Sequence, residues 1–242
     1  MIQVTDAIGY VLKRMDYKES SKIVFLYTAS GKTSFLVHGA NKLSSPFLAK
    51  TEVLTKLKVT TEGKGLKICK EIEIIDLFPG IKNDLEKYTY CLHVLEILQQ
   101  VSDAEIDHEK LFMFIGKIFP LIEKEKEYVP YIYMFESKLL YLLGIQPELQ
   151  ACVICQSKEA LAFSVKDGGM CCLDHLPLGK TYPLSIIDYF MKIYYFNLDK
   201  PLELKLDQKT IREIRLLLDE YYHYHLNFET KSRQVLKGLI GY

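Results

Sequence analysis

The chain has 242 residues, 49% of them hydrophobic and 26% charged, enough for one large domain or two modest ones with real cores, and neither disordered nor fibrous. Its formal net charge is zero, which argues against a surface built wholly for a polyanion. No apolar run approaches the roughly 18 residues a membrane span needs, and the first residues, MIQVTDAIGYVLKR, lack a charged-then-apolar signal layout, so a soluble cytoplasmic protein is expected.

The zero balance hides an asymmetry. Residues 1–80 carry 12 Lys and Arg against 8 Asp and Glu, and the remainder carries the opposite excess. A mildly basic head on a mildly acidic body points the head toward a polyanion.

The head reads as strands. In SKIVFLYTAS, Ile23, Phe25 and Tyr27 alternate with Val24 and Leu26, and both faces are apolar, as in a closed barrel packed on a neighbour. GKTSFLVHGA follows across a Ser30-Gly31 turn. EVLTKLKVT puts Val53, Thr55, Leu57 and Val59 on one face; TEGKG turns, with Gly63 and Gly65 free to take positive φ. LKICKEIEIIDLF is a further strand with Leu66, Ile68, Ile72 and Ile74 in phase. About five short strands in under 80 residues predict a small barrel, of which the OB-fold is the commonest.

At Pro79-Gly80 the period changes. Leu85, Tyr88, Leu92 and Leu95 recur at helical spacing, and LFMFIGKIFPLIEK and YIYMFESKLLYLLG follow, the latter closed by Gly144 and Pro147. LSIIDYFMKIYYF is a later helix, and Asp207 is the expected N-cap of one whose Ile211, Ile214 and Leu218 form the buried stripe. The expected class is α+β: an N-terminal OB-fold β-barrel over 1–79, then an α-helical domain over 80–242 with a zinc knuckle inserted at about 150–178.

Between those helices, CVICQSKEALAFSVKDGGMCCLDH gathers four of the six cysteines and one of the six histidines. Cys152-x2-Cys155, a loop, then Cys172-x2-His175 is the arrangement of a tetrahedral zinc site, each pair on a tight knuckle, with Gly168-Gly169 turning the backbone between them. Cys171 is one residue out of register. Four protein ligands leave no open position for a substrate water, so the zinc is expected to be structural. Cys69 and Cys91 read as small core residues, and His223 and His225 as structural.

The order of features resembles RecO, a family of bacterial recombination and repair mediators. The resemblance runs through GYVLKRMDYKESSKIVFLYTASGKTSFLVHGANK (9–42), LLGIQPELQACVIC (142–155), FSVKDGGMCC (163–172) and YYHYHLNFETKSRQVL (221–236), near the family's L-K-S-R end signature. Two positions depart from the family pattern: HGANK stands where K-G-A-R-R is usual, and His175 where the last ligand is often cysteine. The resemblance implies an N-terminal OB-fold, a helical C-terminal domain with a zinc knuckle, binding to single- and double-stranded DNA, annealing of complementary strands, and partnership with RecR and the tail of single-stranded-DNA-binding protein, leading to RecA loading and, during repair, association with the nucleoid. Because some members lack the zinc ligands, it also implies that the metal is not essential to the family's activity.

Annealing requires two polyanions held together, not bond chemistry. The candidate phosphate contacts in the barrel are Lys13, Arg14, Lys18, Lys22, Lys32 and Lys42; Tyr17 and Phe47 are candidates for base stacking. Lys231 and Arg233, in the end signature, are the other basic pair, with a helix-end dipole role as their alternative. Two other readings stay open: an RNA-binding OB protein, and a zinc-stapled protein–protein adaptor that binds no nucleic acid. An enzyme is disfavoured, since no phosphate-binding loop, nucleophile elbow or paired catalytic carboxylate motif is found.

Overall fold

The computed structural model describes residues 4–42, 44–200, 202 and 204–240. The chain forms two compact units, residues 1–123 and 124–242.

The first unit begins with β1 (Val4–Tyr17), β2 (Ser21–Thr28) and β3 (Gly31–Val37), then a single helical turn α1 (Phe47–Lys50), β4 (Lys56–Glu62) and β5 (Lys67–Asp76). They close into a barrel in the order β1-β2-β3-β5-β4, antiparallel except for the β3–β5 junction. This is the OB-fold expected from the strand pattern. Val11, Val24, Leu26, Phe35, Val37, Leu57, Val59 and Ile72 fill its interior. Gly63 and Gly65 take φ of 119° and 73° in the β4–β5 turn.

Strand β5 departs from the expected phase. Its register skips Lys70, Thr60 pairing with Glu71 and Thr61 with Cys69. This β-bulge flips the strand, so Cys69 packs against the core while Leu66 and Ile68 face outward. Another irregularity, between Val11 and Lys13, lets Tyr10, Val11 and Leu12 all be buried.

The barrel leads into α2 (Pro79–Lys82), α3 (Leu85–Val101) and α4 (His108–Lys124). Phe78, at φ 49°, sits in the left-handed region at the corner, its amide donating to Asp76 Oδ1 at 2.8 Å. Its ring and those of Phe112 and Phe119 surround Tyr10, with Tyr10–Phe119 edge-on at 5.3 Å. Tyr27 is covered likewise, its hydroxyl 3.0 Å from His108 Nδ1. In α3 the buried residues include Tyr90, Val94, Leu98 and Val101; of the series read from the sequence Leu95 is buried, Tyr88 and Leu92 are half-buried and Leu85 is 66% exposed. Asp84 caps this helix through the amides of Glu86 and Lys87.

The second unit contains α5 (Val129–Leu142), a small sheet of β6 (Ala160–Ser164), β7 (Gly169–Cys172) and β8 (Tyr182–Pro183), then α6 (Leu184–Tyr194), α7 (Gln208–Leu226) and α8 (Lys231–Ile240). Gly144 closes α5 in the left-handed conformation at φ 72°. Asp207 caps α7 by accepting from the Thr210 amide at 2.8 Å. Ile214 and Leu218 are buried on α7 as read from the sequence.

An ion-pair cluster lies inside this unit. Arg215 of α7 meets Glu136 of α5 (2.8 and 3.0 Å) and Asp219 one turn on (2.8 Å), and Asp219 also meets Arg233 of α8 (2.8 Å). Two cations face two carboxylates, so no net charge is buried. Burial alone would lower the Arg215 pKa, but the Glu136 and Asp219 carboxylates outweigh it and hold it well above its ordinary value. Among the described residues, no helix is long and apolar enough to cross a membrane.

Candidate metal centre and nucleic-acid interface

Two knuckles come together beside the small sheet. The first is a turn in which Gln156 N donates to Cys152 O (2.9 Å) and Cys152 N to Ser157 O (2.8 Å). Val153 N donates to Met170 O (2.9 Å), fixing this turn to β7. The second begins at Cys172, the last residue of β7, and continues as a 3-10 turn over Leu173–His175. Gly169 is required where the two halves cross: a Cβ there would lie 2.5 Å from Glu148 O. Gly168 beside it takes φ 78°.

The turns bring one ligand atom each from Cys152, Cys155, Cys172 and His175 to within 4.8 Å of one another. Cys155 Sγ lies 3.7 Å from Cys172 Sγ, and His175 Nδ1 lies 3.3 Å from Cys172 Sγ and 3.8 Å from Cys152 Sγ. Tetrahedral bonds of about 2.3 Å to sulfur and 2.0 Å to nitrogen demand separations of about 3.8 Å between sulfurs and about 3.5 Å between sulfur and nitrogen. The residues therefore fit a four-coordinate metal whose shell the protein closes. The amides of Cys155 and Cys172 point at the Cys152 sulfur and lower its pKa to about 6, favouring the thiolate a metal needs. Cys171 belongs elsewhere: it is buried, its thiol faces Gly169 O at 3.9 Å, and burial pushes its pKa up.

The barrel cations are not equivalent. Lys22 pairs with Asp16 and Lys32 with Asp103, each at 2.5 Å, and Arg14 donates to Leu48 O of α1 at 3.2 Å. Lys13 and Lys18 have no carboxylate in ion-pair range among the described residues; their ammonium groups lie over the rings of Phe25 (4.8 Å) and Tyr17 (5.5 Å). Lys42 is exposed in the turn after β3. In the same loop, His38 Nδ1 lies 3.3 Å from Ser21 Oγ, and Asn41 donates to Ser21 O, so both side chains fasten the loop to β2.

Two of the sequence-derived candidates are engaged within the fold. Phe47, proposed as a stacking platform, packs against the barrel core from α1. Arg233 is buried, its Nε on Asp219 and its Nη1 donating to Phe228 O at 3.4 Å, so it has no access to phosphate. It also begins α8 rather than ending it, so a cation completing a helix C-terminus is not its role either. Lys231, two residues earlier, is exposed. Sequence reasoning passed over Lys64, exposed in the β4–β5 turn, a loop that OB-folds use for nucleic acid.

The described residues thus comprise a closed OB barrel bearing outward lysines and a helical unit with a Cys3His group whose geometry could hold a metal ion. The family model described as Recombination protein O N terminal matches residues 1–78, and that described as Recombination protein O C terminal matches residues 82–234. The chain is 27% identical over 239 residues to the DNA repair protein RecO of Halalkalibacterium halodurans, covering 96% of this chain and 94% of that one. It is 27% identical over 246 residues to the protein of that name from Shouchella clausii, covering 99% and 95%. The chain belongs to the RecO family of recombination and DNA repair proteins.

Proposed function

We propose that this protein is a non-enzymatic mediator of DNA repair and recombination that binds single- and double-stranded DNA through residues 1–79 and anneals complementary strands. The carrying observation is that Lys13, Lys18 and Lys64 stand exposed or half-exposed on an OB barrel, with no carboxylate in ion-pair range among the described residues, in a chain of this family. Phosphate neutralisation by such lysines releases counterions, which supplies affinity without sequence preference and brings two strands to one molecule. The carboxylates of the Lys22–Asp16 and Lys32–Asp103 pairs are open to water, so solvent screening keeps these pairs weak and those cations can be exchanged to a phosphate.

The Cys3His cluster takes zinc in this reading, and when bound the ion fastens the two knuckles and adds folding free energy. The staple then lies in the unit of residues 124–242, and the partners in this reading are RecR and the tail of single-stranded-DNA-binding protein, with RecA loading as the outcome. The zero net charge and the lysines already paired in the barrel favour the adaptor as the second reading. Fluorescence anisotropy with labelled single-stranded DNA across a salt series separates them. A mediator binds at low salt with log affinity falling linearly against log salt; an adaptor shows no binding at any salt. RNA competing as well as DNA would turn the assignment to an RNA-binding barrel.

A further inference from the structure

The ligands of the Cys3His cluster are unequally exposed, which a purely structural staple does not require. Cys152 and Cys172 are buried, whereas Cys155 is exposed. The residues beside the Cys155–Cys172 pair are open as well: Ile154, before Cys155, is 59% exposed, and Leu173, after Cys172, is 70% exposed. Water and small solutes therefore reach the Cys155 sulfur. That sulfur lies 3.7 Å from Cys172 Sγ, and the two cysteines belong to different knuckles. A disulfide holds its sulfurs about 2.05 Å apart, so the pair needs to close by less than about 2 Å to bond. The cysteines outside the cluster are poorly placed for this chemistry. Cys91 is buried in α3, Cys69 is half-buried in the barrel, and Cys171 is buried with its thiol on Gly169 O.

We propose that Cys155 is a peroxide-sensitive modification site, and that its oxidation exchanges the metal clip between the knuckles for a Cys155–Cys172 disulfide. The inference rests on the reading of the cluster as a metal site. A thiolate is both the form that binds a metal and the form that attacks an oxidant. Cys155 Sγ attacks one oxygen of hydrogen peroxide: an S–O bond forms, the O–O bond breaks, and hydroxide leaves, giving a sulfenic acid. The Cys172 thiolate then attacks that sulfur: the S–S bond forms, the S–O bond breaks, and a second hydroxide leaves. The two sulfurs together lose two electrons, and the peroxide takes them in becoming two hydroxide ions. Cys172 stands close enough to resolve the sulfenic acid before a second peroxide reaches it. With both sulfurs spent, only Cys152 and His175 remain of the four ligands, too few to close a tetrahedral shell, so the metal leaves as the free dication. The knuckles stay joined, because the new bond spans the same two turns and Val153 N still donates to Met170 O.

The test treats zinc-loaded full-length protein with hydrogen peroxide near neutral pH, with a chromogenic chelator in solution to read zinc release. Non-reduced tryptic digests are then mapped by mass spectrometry. Lys158 and Lys166 are cleavage sites between the two cysteines, so a Cys155–Cys172 bond joins two separate peptides and fragmentation assigns it. Zinc release in step with that crosslink, reversed by dithiothreitol and added zinc, supports the exchange. Cys171→Ser keeps all four ligands and is expected to give the same crosslink. Oxidised wild type is expected to melt below the zinc-loaded protein but above Cys155→Ser, since the disulfide holds the knuckles that the variant leaves unclipped. Zinc retained under excess peroxide, a Cys152–Cys155 bond, or a sulfinic acid on Cys155 without a crosslink overturns the exchange and leaves the metal site standing. Oxidised wild type melting no higher than Cys155→Ser overturns the disulfide as a clip. Protein that neither carries nor takes up zinc overturns the metal site, and absence of the crosslink from its peroxide digest overturns the modification site as well.

Discussion

Arg233 lies in the stretch that resembles the family's end signature, and its position makes a sharp forecast. Replacing it by Ala removes one of the two guanidinium groups that meet Asp219 Oδ1 at 2.8 Å, and leaves one cation, Arg215, against the two carboxylates of Glu136 and Asp219. Breaking a buried pair from one side costs about 3–5 kcal/mol. Asp219 keeps Arg215, so the lower end applies, about 3 kcal/mol. For a chain of this size each kcal/mol moves the melting temperature by roughly 2–4 °C, so a fall of about 6–12 °C is expected by calorimetry. Arg233→Lys restores the charge without the planar fork and should recover only part of it. The exposed Lys231→Ala should stay within about 0.5 kcal/mol of wild type. DNA affinity and its salt slope, measured well below the melting transition, should be the same for Arg233→Ala as for wild type. An unshifted melting curve together with a shallower salt slope would show that Arg233 meets phosphate and that the buried cluster has been misread.

Metal analysis of protein prepared without chelator should find about one zinc per chain, and Cys152→Ser should lose it and loosen the knuckle; zinc-free protein of full stability would remove the metal from the account. Cys155→Ser should lower the melting temperature while strand annealing persists, because its ligand set lies in the helical unit; the reverse pattern would make the site functional rather than structural. Lys13→Ala with Lys18→Ala should reduce the steepness of log affinity against log salt by about two units for every DNA sequence alike, and an unchanged slope would move the DNA site off this face. Phe47→Ala should cost about 2 kcal/mol, because the ring is half-buried against the barrel core, and should leave binding per folded molecule intact.

The parts of this fold that were legible in the sequence rest on short-range rules. A glycine required at positive φ announces a turn from its own position, as at Gly63, Gly65 and Gly144. Two Cys/His pairs at x2 spacing announce knuckles, because a tight turn is all each pair needs, and the loop between them brought the four ligands together. Periodicity failed where geometry changed within an element: the bulge at Lys70 reversed the facing of Leu66 and Ile68, and nothing in LKICKEIEIID marks it. Roles set by distant partners were equally hidden. Arg233 reads as a surface cation until Asp219 and Arg215 are seen beside it, and Glu136, 79 residues from Arg215, completes the cluster. Phe47 reads as a free aromatic until the closed barrel supplies the core it packs against. The two lysines paired to Asp16 and Asp103 show the same limit among the barrel cations: the sequence counts cations, and only the fold says which of them are already engaged.

The most direct test of the account is strand annealing by the purified full-length protein, with two complementary labelled oligonucleotides at low and moderate salt and no nucleotide cofactor. The account predicts that wild type accelerates duplex formation strongly at low salt and less as salt rises, that Lys13→Ala with Lys18→Ala loses most of the acceleration, and that Lys231→Ala and folded Arg233→Ala retain it. Spontaneous-rate annealing by wild type at low salt, with no shift of single-stranded DNA, would contradict it.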